Sequence, residues 1–158
     1  MRALARFLAT LLGTWFGCGY VPKAPGTAGS LGALYVAWLL KGHLVVAPIG
    51  YAVLAVLLLR PAVWAADVMA HERSQKDPQV VVVDEVVGQW LTLAGATAMN
   101  WKSWLLGFVL FRLFDIWKPW PVRQMERLSG GLGIVADDAM AGLYGALVLF
   151  AAGWFNLY

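Results

Sequence analysis

Charge is scarce in this chain. Only 13% of its 158 residues are Asp, Glu, Lys or Arg, while 61% are hydrophobic. A soluble domain of this size would leave large apolar patches in water, so the composition argues for a lipid environment. Cysteine is nearly absent too: Cys18 alone cannot form an internal disulfide and fits a reducing compartment. The two histidines, His43 and His71, sit in polar surroundings and read as solvated, so chemistry built on paired histidines is excluded. No basic helix with interleaved aromatics occurs, and a net charge of +3 suits an anionic lipid surface better than nucleic acid. Repeats, low-complexity tracts and linkers are missing, which leaves one domain over residues 1–158. The first 17 residues lack a small-x-small cleavage site and read as a retained helix at the membrane interface.

What is abundant is apolar sequence and tryptophan. Four stretches are able to enter a bilayer: Ser30–Leu40, Leu44–Ala66, Val86–Met99 with Ser103–Phe114 after a break, and Ala139–Tyr158. Several fall short of the roughly 20 residues of a full crossing and must tilt, re-enter or pair as a hairpin. Pro48 and Pro61 are placed to kink the second. Most of the nine Trp flank these runs, where lipid meets water. The expected fold class is therefore all-α, an integral membrane helical bundle with short, partly re-entrant helices. Counting the broken stretch as two helices puts the turns at Lys41–His43 and Asn100–Lys102 on one side and the other polar loops opposite. Ten of the 12 Lys and Arg then lie on the loop side, with Lys41 and Lys102 on the other. That bias makes the loop side cytoplasmic.

Five of the nine acidic residues form three clusters at the edges of the apolar runs: Asp84-Glu85, Asp115 and Asp137-Asp138. Ionised carboxylates beside hydrocarbon are costly unless they are paired or hold a metal. Asp84 is placed to cap a helix. Glu85 has no such task, and Gln89 follows it one turn later, making a half-site for a hard cation. Arg112 and Asp115 are helical neighbours able to form a salt bridge, which leaves Lys118 and Arg123 unexplained. Pro119 and Pro121 end that helix and hold the chain extended. Asp137 or Asp138 suits the N-cap of the last helix, but one Asp suffices, and two adjacent carboxylates repel unless a cation lies between them. The Gly17–Ser30 loop reads equally as a rigid turn capped by Thr27 or Ser30 and as a phosphate cradle with Lys23 as its cation. The Cys-x5-Arg, Asp-x-Asp and Walker patterns are all missing. What remains is attack by a metal-activated water among carboxylates.

Taken in order, Ala24-Pro-Gly-Thr27 with Gly29-Ser30, Val83-Asp84-Glu85-Val-Val-Gly88-Gln89, Phe111–Pro121, and Gly130-Gly-Leu-Gly133-Ile with Asp137-Asp138 and Ala141-Gly142 closely resemble the bacterial phosphatidylglycerophosphatase A family. The match runs from about Gly17 to the C-terminus, with Glu126 and Val135 as departures where the family pattern leads one to expect Asp and Met. The resemblance implies Mg²⁺-dependent hydrolysis of phosphatidylglycerophosphate to phosphatidylglycerol at the bacterial inner membrane. In this chain Asp84, Glu85, Asp115 and Asp138 are the expected catalytic residues, and those four with Asp137 the expected metal ligands. Lys23, Thr27, Arg112, Lys118 and Arg123 are expected to hold the phosphate. The rival from another class is a small cation or proton transporter using the same carboxylates. A transporter would place them near the bilayer midplane, whereas these sit at segment ends on one side.

Overall fold

Apolar sequence at helical spacing yields helices throughout the computed structural model, which describes residues 2–41 and 47–158; no strand occurs among them. In order they are α1 (Arg2–Gly13), α2 (Pro25–Leu40), α3 (Ala47–Arg73), α4 (Val83–Leu93), α5 (Trp101–Trp117), the single turn α6 (Val122–Met125) and α7 (Gly131–Trp154). A 3-10 turn at Cys18–Tyr20 follows α1. Two helices, Pro48–Arg73 within α3 and Gly131–Trp154, are long and apolar enough to cross a membrane. Leu57, Leu147, Trp101 and Trp154 are all more than half exposed on the outside of the bundle. Large apolar surfaces of this kind belong in lipid. The all-helical membrane reading stands; His43 and most of the Lys41–His43 turn lie outside the described residues.

The shortest apolar helix holds the middle. Nine of the 11 residues of α4 are buried, and it packs against α7, α3, α2 and α5. Its contact with α7 is a seam of small residues. A Cβ on Gly142 would collide with the carbonyl oxygen of Gly88 and come within 2.8 Å of its Cα, and one on Gly145 would meet the Thr92 side chain. Thr92 Oγ1 hydrogen-bonds to the Gly142 carbonyl at 3.1 Å, closing the seam. Without side chains between them, the two backbones approach closely enough to set the acidic residues of α4 against those of α7.

Several helix ends differ from expectation. α7 begins at Gly131, ahead of Ala139, so Asp137 and Asp138 lie inside the helix and neither is its cap. The terminus is held instead by Asp67 of α3, whose Oδ1 accepts the Gly131 N–H at 2.7 Å. Asp84 caps nothing either, since Val82 precedes α4 and Asp84 sits in its first turn. Ala24 precedes α2, Pro25 opens it, and neither Thr27 nor Ser30 is the cap; the Ser30 hydroxyl donates to the Gly26 carbonyl at 2.9 Å. Pro121 adjoins α6, so the segment after α5 turns rather than extends. Trp15 is buried rather than at a boundary, its ring set edge-on against Trp90 at 5.6 Å. Pro61 sits within the continuous α3.

Candidate active site

A cavity of about 400 Å³ opens where the start of α2, the start of α4, the end of α5 and the middle of α7 converge. It is lined by six carboxylates (Asp77, Asp84, Glu85, Asp115, Asp137 and Asp138) and three cations (Lys23, Arg112 and Lys118). Six against three leaves it negative without an added cation. The imbalance is sharpest at its floor, where one oxygen from each of Asp84, Glu85 and Asp138 lie within 4.8 Å of one another. Asp84 and Asp138 are 8% and 4% exposed, and Asp84 Oδ1 and Glu85 Oε2 are buried with no hydrogen-bond partner. Buried like charges this close, with oxygens left unpartnered, call for a positive ion. An all-oxygen carboxylate donor set suits a hard divalent ion such as Mg²⁺ or Ca²⁺, so the residues fit the cation that the motifs imply. No other such group occurs among the described residues.

The adjacent aspartates have separate surroundings because neighbouring residues on an α-helix point about 100° apart, 3.6 residues making a turn. Asp138 faces Asp84 and Glu85. Asp137 faces the end of α5, where Lys118 Nζ donates to its Oδ2 at 2.6 Å and to Glu126 Oε1 at 3.0 Å. Burial works to lower the Lys118 pKa, but these two partners outweigh it and hold the ammonium above the ordinary lysine range. Arg112 Nη1 meets Asp115 Oδ2 at 2.7 Å, the expected salt bridge, and stands 3.8 Å from Glu85 Oε1. Asp115 thus orients a cation beside the triad.

The α2 terminus completes the wall. Residues 24–27 line the cavity and no side chain caps the helix, so the N–H groups that follow Pro25 belong to a terminus that favours an anion. Gly26 is needed here, because a Cβ would run into Glu85 Oε1 and lie 3.1 Å from Arg112 Nη1. Lys23 and Lys118 both have left-handed backbones, with φ 71° and 47°. Each costs on the order of 1 kcal/mol, and such strain gathers at working sites.

Of the ten residues singled out from sequence, nine line this cavity: Lys23, Thr27, Asp84, Glu85, Arg112, Asp115, Lys118, Asp137 and Asp138. Arg123 does not; it is exposed on α6. Gln89 is fully buried one turn below Glu85 and is not part of the lining, and both its amide atoms lack partners. Asp77 and Gln79 went unnoticed in the sequence. Both belong to the irregular segment before α4, which carries no periodicity to mark them. Although Asp77 keeps an exposed edge, partial desolvation raises its pKa; Glu126 and Asp115 add to the rise, and Lys118 and Lys76 oppose it.

Clustered carboxylates, three cations and an uncapped helix terminus in one cavity of an all-helical membrane protein are the equipment of a site that handles phosphate through a metal ion. The phosphatidylglycerophosphatase A family model matches residues 11–153. Relatives named phosphatidylglycerophosphatase A, from Escherichia coli K12 and Haemophilus influenzae Rd, are 36% and 34% identical to the chain. The matches cover 90% and 93% of the chain and 82% and 90% of those relatives. A Bacteroides thetaiotaomicron protein provisionally named phosphatidylinositol-3-phosphatase is 40% identical over 94% of the chain and 95% of its own length. No solved structure matches at a significant level. The chain belongs to the phosphatidylglycerophosphatase A family, an enzyme family of hydrolases.

Proposed function

We propose that the chain is a Mg²⁺-dependent phosphatase that converts phosphatidylglycerophosphate to phosphatidylglycerol at the cytoplasmic face of the bacterial inner membrane. The observation that carries this reading is the Asp84–Glu85–Asp138 triad set in one cavity with Arg112, Lys118 and Lys23. Asp84, Glu85 and Asp138 would hold Mg²⁺, which would supply charge against the monoester and lower the pKa of a water. Arg112 and Lys118 hold the phosphate oxygens and stabilise the charge that develops on them, while the α2 terminus, Lys23 and Thr27 steady the group from the opposite wall. Asp115 fixes the Arg112 guanidinium, and Asp137 fixes the Lys118 ammonium. A lining carboxylate outside the triad takes the proton from the attacking water. The water oxygen bonds to phosphorus, the phosphorus–oxygen bond to the glycerol headgroup breaks, and the leaving alkoxide takes up a proton. The inner-membrane placement rests on the family resemblance, and the cytoplasmic orientation on the excess of basic residues on the loop side, Arg60 set apart because it lies midway along α3.

Purified protein should release phosphate from phosphatidylglycerophosphate in the presence of Mg²⁺ and lose that activity in excess chelator. Asp115→Asn should lower turnover at least about 10-fold, the lower end of what mutating a partner of a metal ligand costs. Turnover unaffected by chelation would remove the metal-assisted reading, and an Asp115→Asn variant as fast as the parent would remove the role of Asp115 in placing Arg112. The name of the Bacteroides relative makes phosphatidylinositol 3-phosphate the second substrate to compare. Faster release from it than from phosphatidylglycerophosphate would reassign the headgroup while leaving the phosphomonoester chemistry in place.

Orientation is checked separately. A single cysteine at Lys102 should react with an impermeant thiol reagent added outside intact cells, and one at Lys76 should be protected. Labelling of Lys76→Cys from outside would place the cavity on the other face.

A further inference from the structure

The cavity accounts for the headgroup of a membrane lipid and leaves its hydrocarbon chains unplaced. Its lining includes Thr27 at the start of α2 and Ile116 at the end of α5. These two helices touch only sparsely. At their far ends a second, mostly apolar pocket of about 500 Å³ opens between the same pair, lined by Leu34, Tyr35 and Trp38 of α2 and by Trp101 and Trp104 of α5. We infer that the cleft between α2 and α5 is an acyl-chain groove that carries a hydrocarbon tail of the substrate from the phosphate site to this distal pocket. The inference rests on the lipid-phosphatase reading above and adds to it the path of the chain.

Helical spacing makes the path continuous. Leu31, Leu34 and Trp38 follow Thr27 at i+4, i+7 and i+11, so one face of α2 runs from the cavity to the pocket. On α5 the positions four, seven and 11 before Arg112 are Phe108, Leu105 and Trp101. Leu31, Tyr35, Trp38, Leu105 and Trp101 are 52%, 61%, 53%, 57% and 72% exposed, while Leu34 between them packs partly against the core. Tyr35 and Trp38 lie about 12 and 16 Å beyond Thr27 at 1.5 Å per residue, and Lys41 and Asn100, which also line the pocket, put that end beside the far-side turns. A chain anchored by its headgroup in the cavity and running that length ends among the aromatics of the distal pocket. Tyr35 and Trp38 stack with ring centroids 6.3 Å apart, giving that end a firm wall.

The test compares phosphate release from dipalmitoyl and dihexanoyl phosphatidylglycerophosphate in one detergent, because six-carbon chains stop short of Tyr35. Tyr35→Ala and Trp101→Ala change exposed side chains far from the cavity, and Phe150→Ala on the outer face of α7 is the control. The two groove variants should raise KM for the dipalmitoyl substrate about five- to tenfold, the size expected from losing part of an aromatic side chain's apolar burial. Their KM for the dihexanoyl substrate should stay within about twofold, a shift of under half a kcal/mol and thus below that burial effect. Equal changes for both substrates, no change for either, or the same selective change in Phe150→Ala would overturn the groove. A parent protein that hydrolyses the short substrate as readily as the long one would also overturn it. Release of no phosphate from either substrate by the parent would instead refute the substrate assignment on which the groove depends.

Discussion

Asp138→Asn should abolish phosphate release while the protein stays folded. The substitution keeps the volume of the side chain and removes its charge from a triad whose oxygens lie within 4.8 Å of one another. On the proposed reading Asp138 holds the cation directly, so its loss should cost more than the 10–100-fold seen when an outer partner is lost. Stability should hold or rise, because one of three crowded buried charges is gone. The neighbouring change, Asp137→Asn, should act differently. Lys118 keeps Glu126 at 3.0 Å, so its ammonium remains near the cavity but is less firmly placed, and the activity loss should be smaller. Phosphate release across a Mg²⁺ titration, with thermal unfolding in detergent, measures both variants. An Asp138→Asn protein of parental activity would take Asp138 out of the cation site. A larger loss from Asp137→Asn would reverse the roles of the two residues.

The second large effect is on packing. Gly142→Val should destabilise the protein by more than the roughly 1–3 kcal/mol typical of overpacking, because the added atoms meet the backbone of Gly88, which has no rotamer to yield. Activity should fall with it, since α4 and α7 cannot separate without parting Glu85 and Asp84 from Asp138. Gly145→Ala is the comparison. Its Cβ meets the Thr92 side chain, which can rotate, so the shift in unfolding temperature should be smaller. If Gly145→Ala were the more damaging, the seam would be held chiefly by the Thr92 bond rather than by backbone contact.

Much of this arrangement is legible in the sequence because helices and their flanking charges are local patterns. The apolar runs mark α2, α3, α5 and α7, and the acidic clusters mark most of the cavity wall. Where the reading fails, the cause lies in tertiary structure. Gly130-Gly131-Leu132-Gly133 looks like a loop by helix propensity. Yet α7 starts there because Asp67 supplies the cap and because only glycine fits at 131, where a Cβ would strike the Val63 carbonyl. Asp77 and Gln79 reach the cavity through the path of an irregular segment that leaves no periodic trace. Arg123 fails for the complementary reason: one turn of α6 carries it away from a cluster that is near in sequence.

The bond between Gly131 and Asp67 also works as an indexing pin. Each residue added to a helix turns everything beyond it by about 100° and advances it about 1.5 Å. Asp137 and Asp138 have different neighbours, so the phase of α7 decides which carboxylate meets Lys118 and which meets Glu85. Because Asp67 belongs to the long helix α3, that phase is referenced to a fixed strut six residues before the first aspartate. Inserting or deleting one residue between Gly131 and Asp137 would therefore rotate the wrong side chain into each place, although every catalytic group remained in the chain. A length change in the irregular segment before Gly130 would leave the setting untouched. The span from Gly131 to Asp138 thus behaves as a ruler, and its length is part of the candidate site.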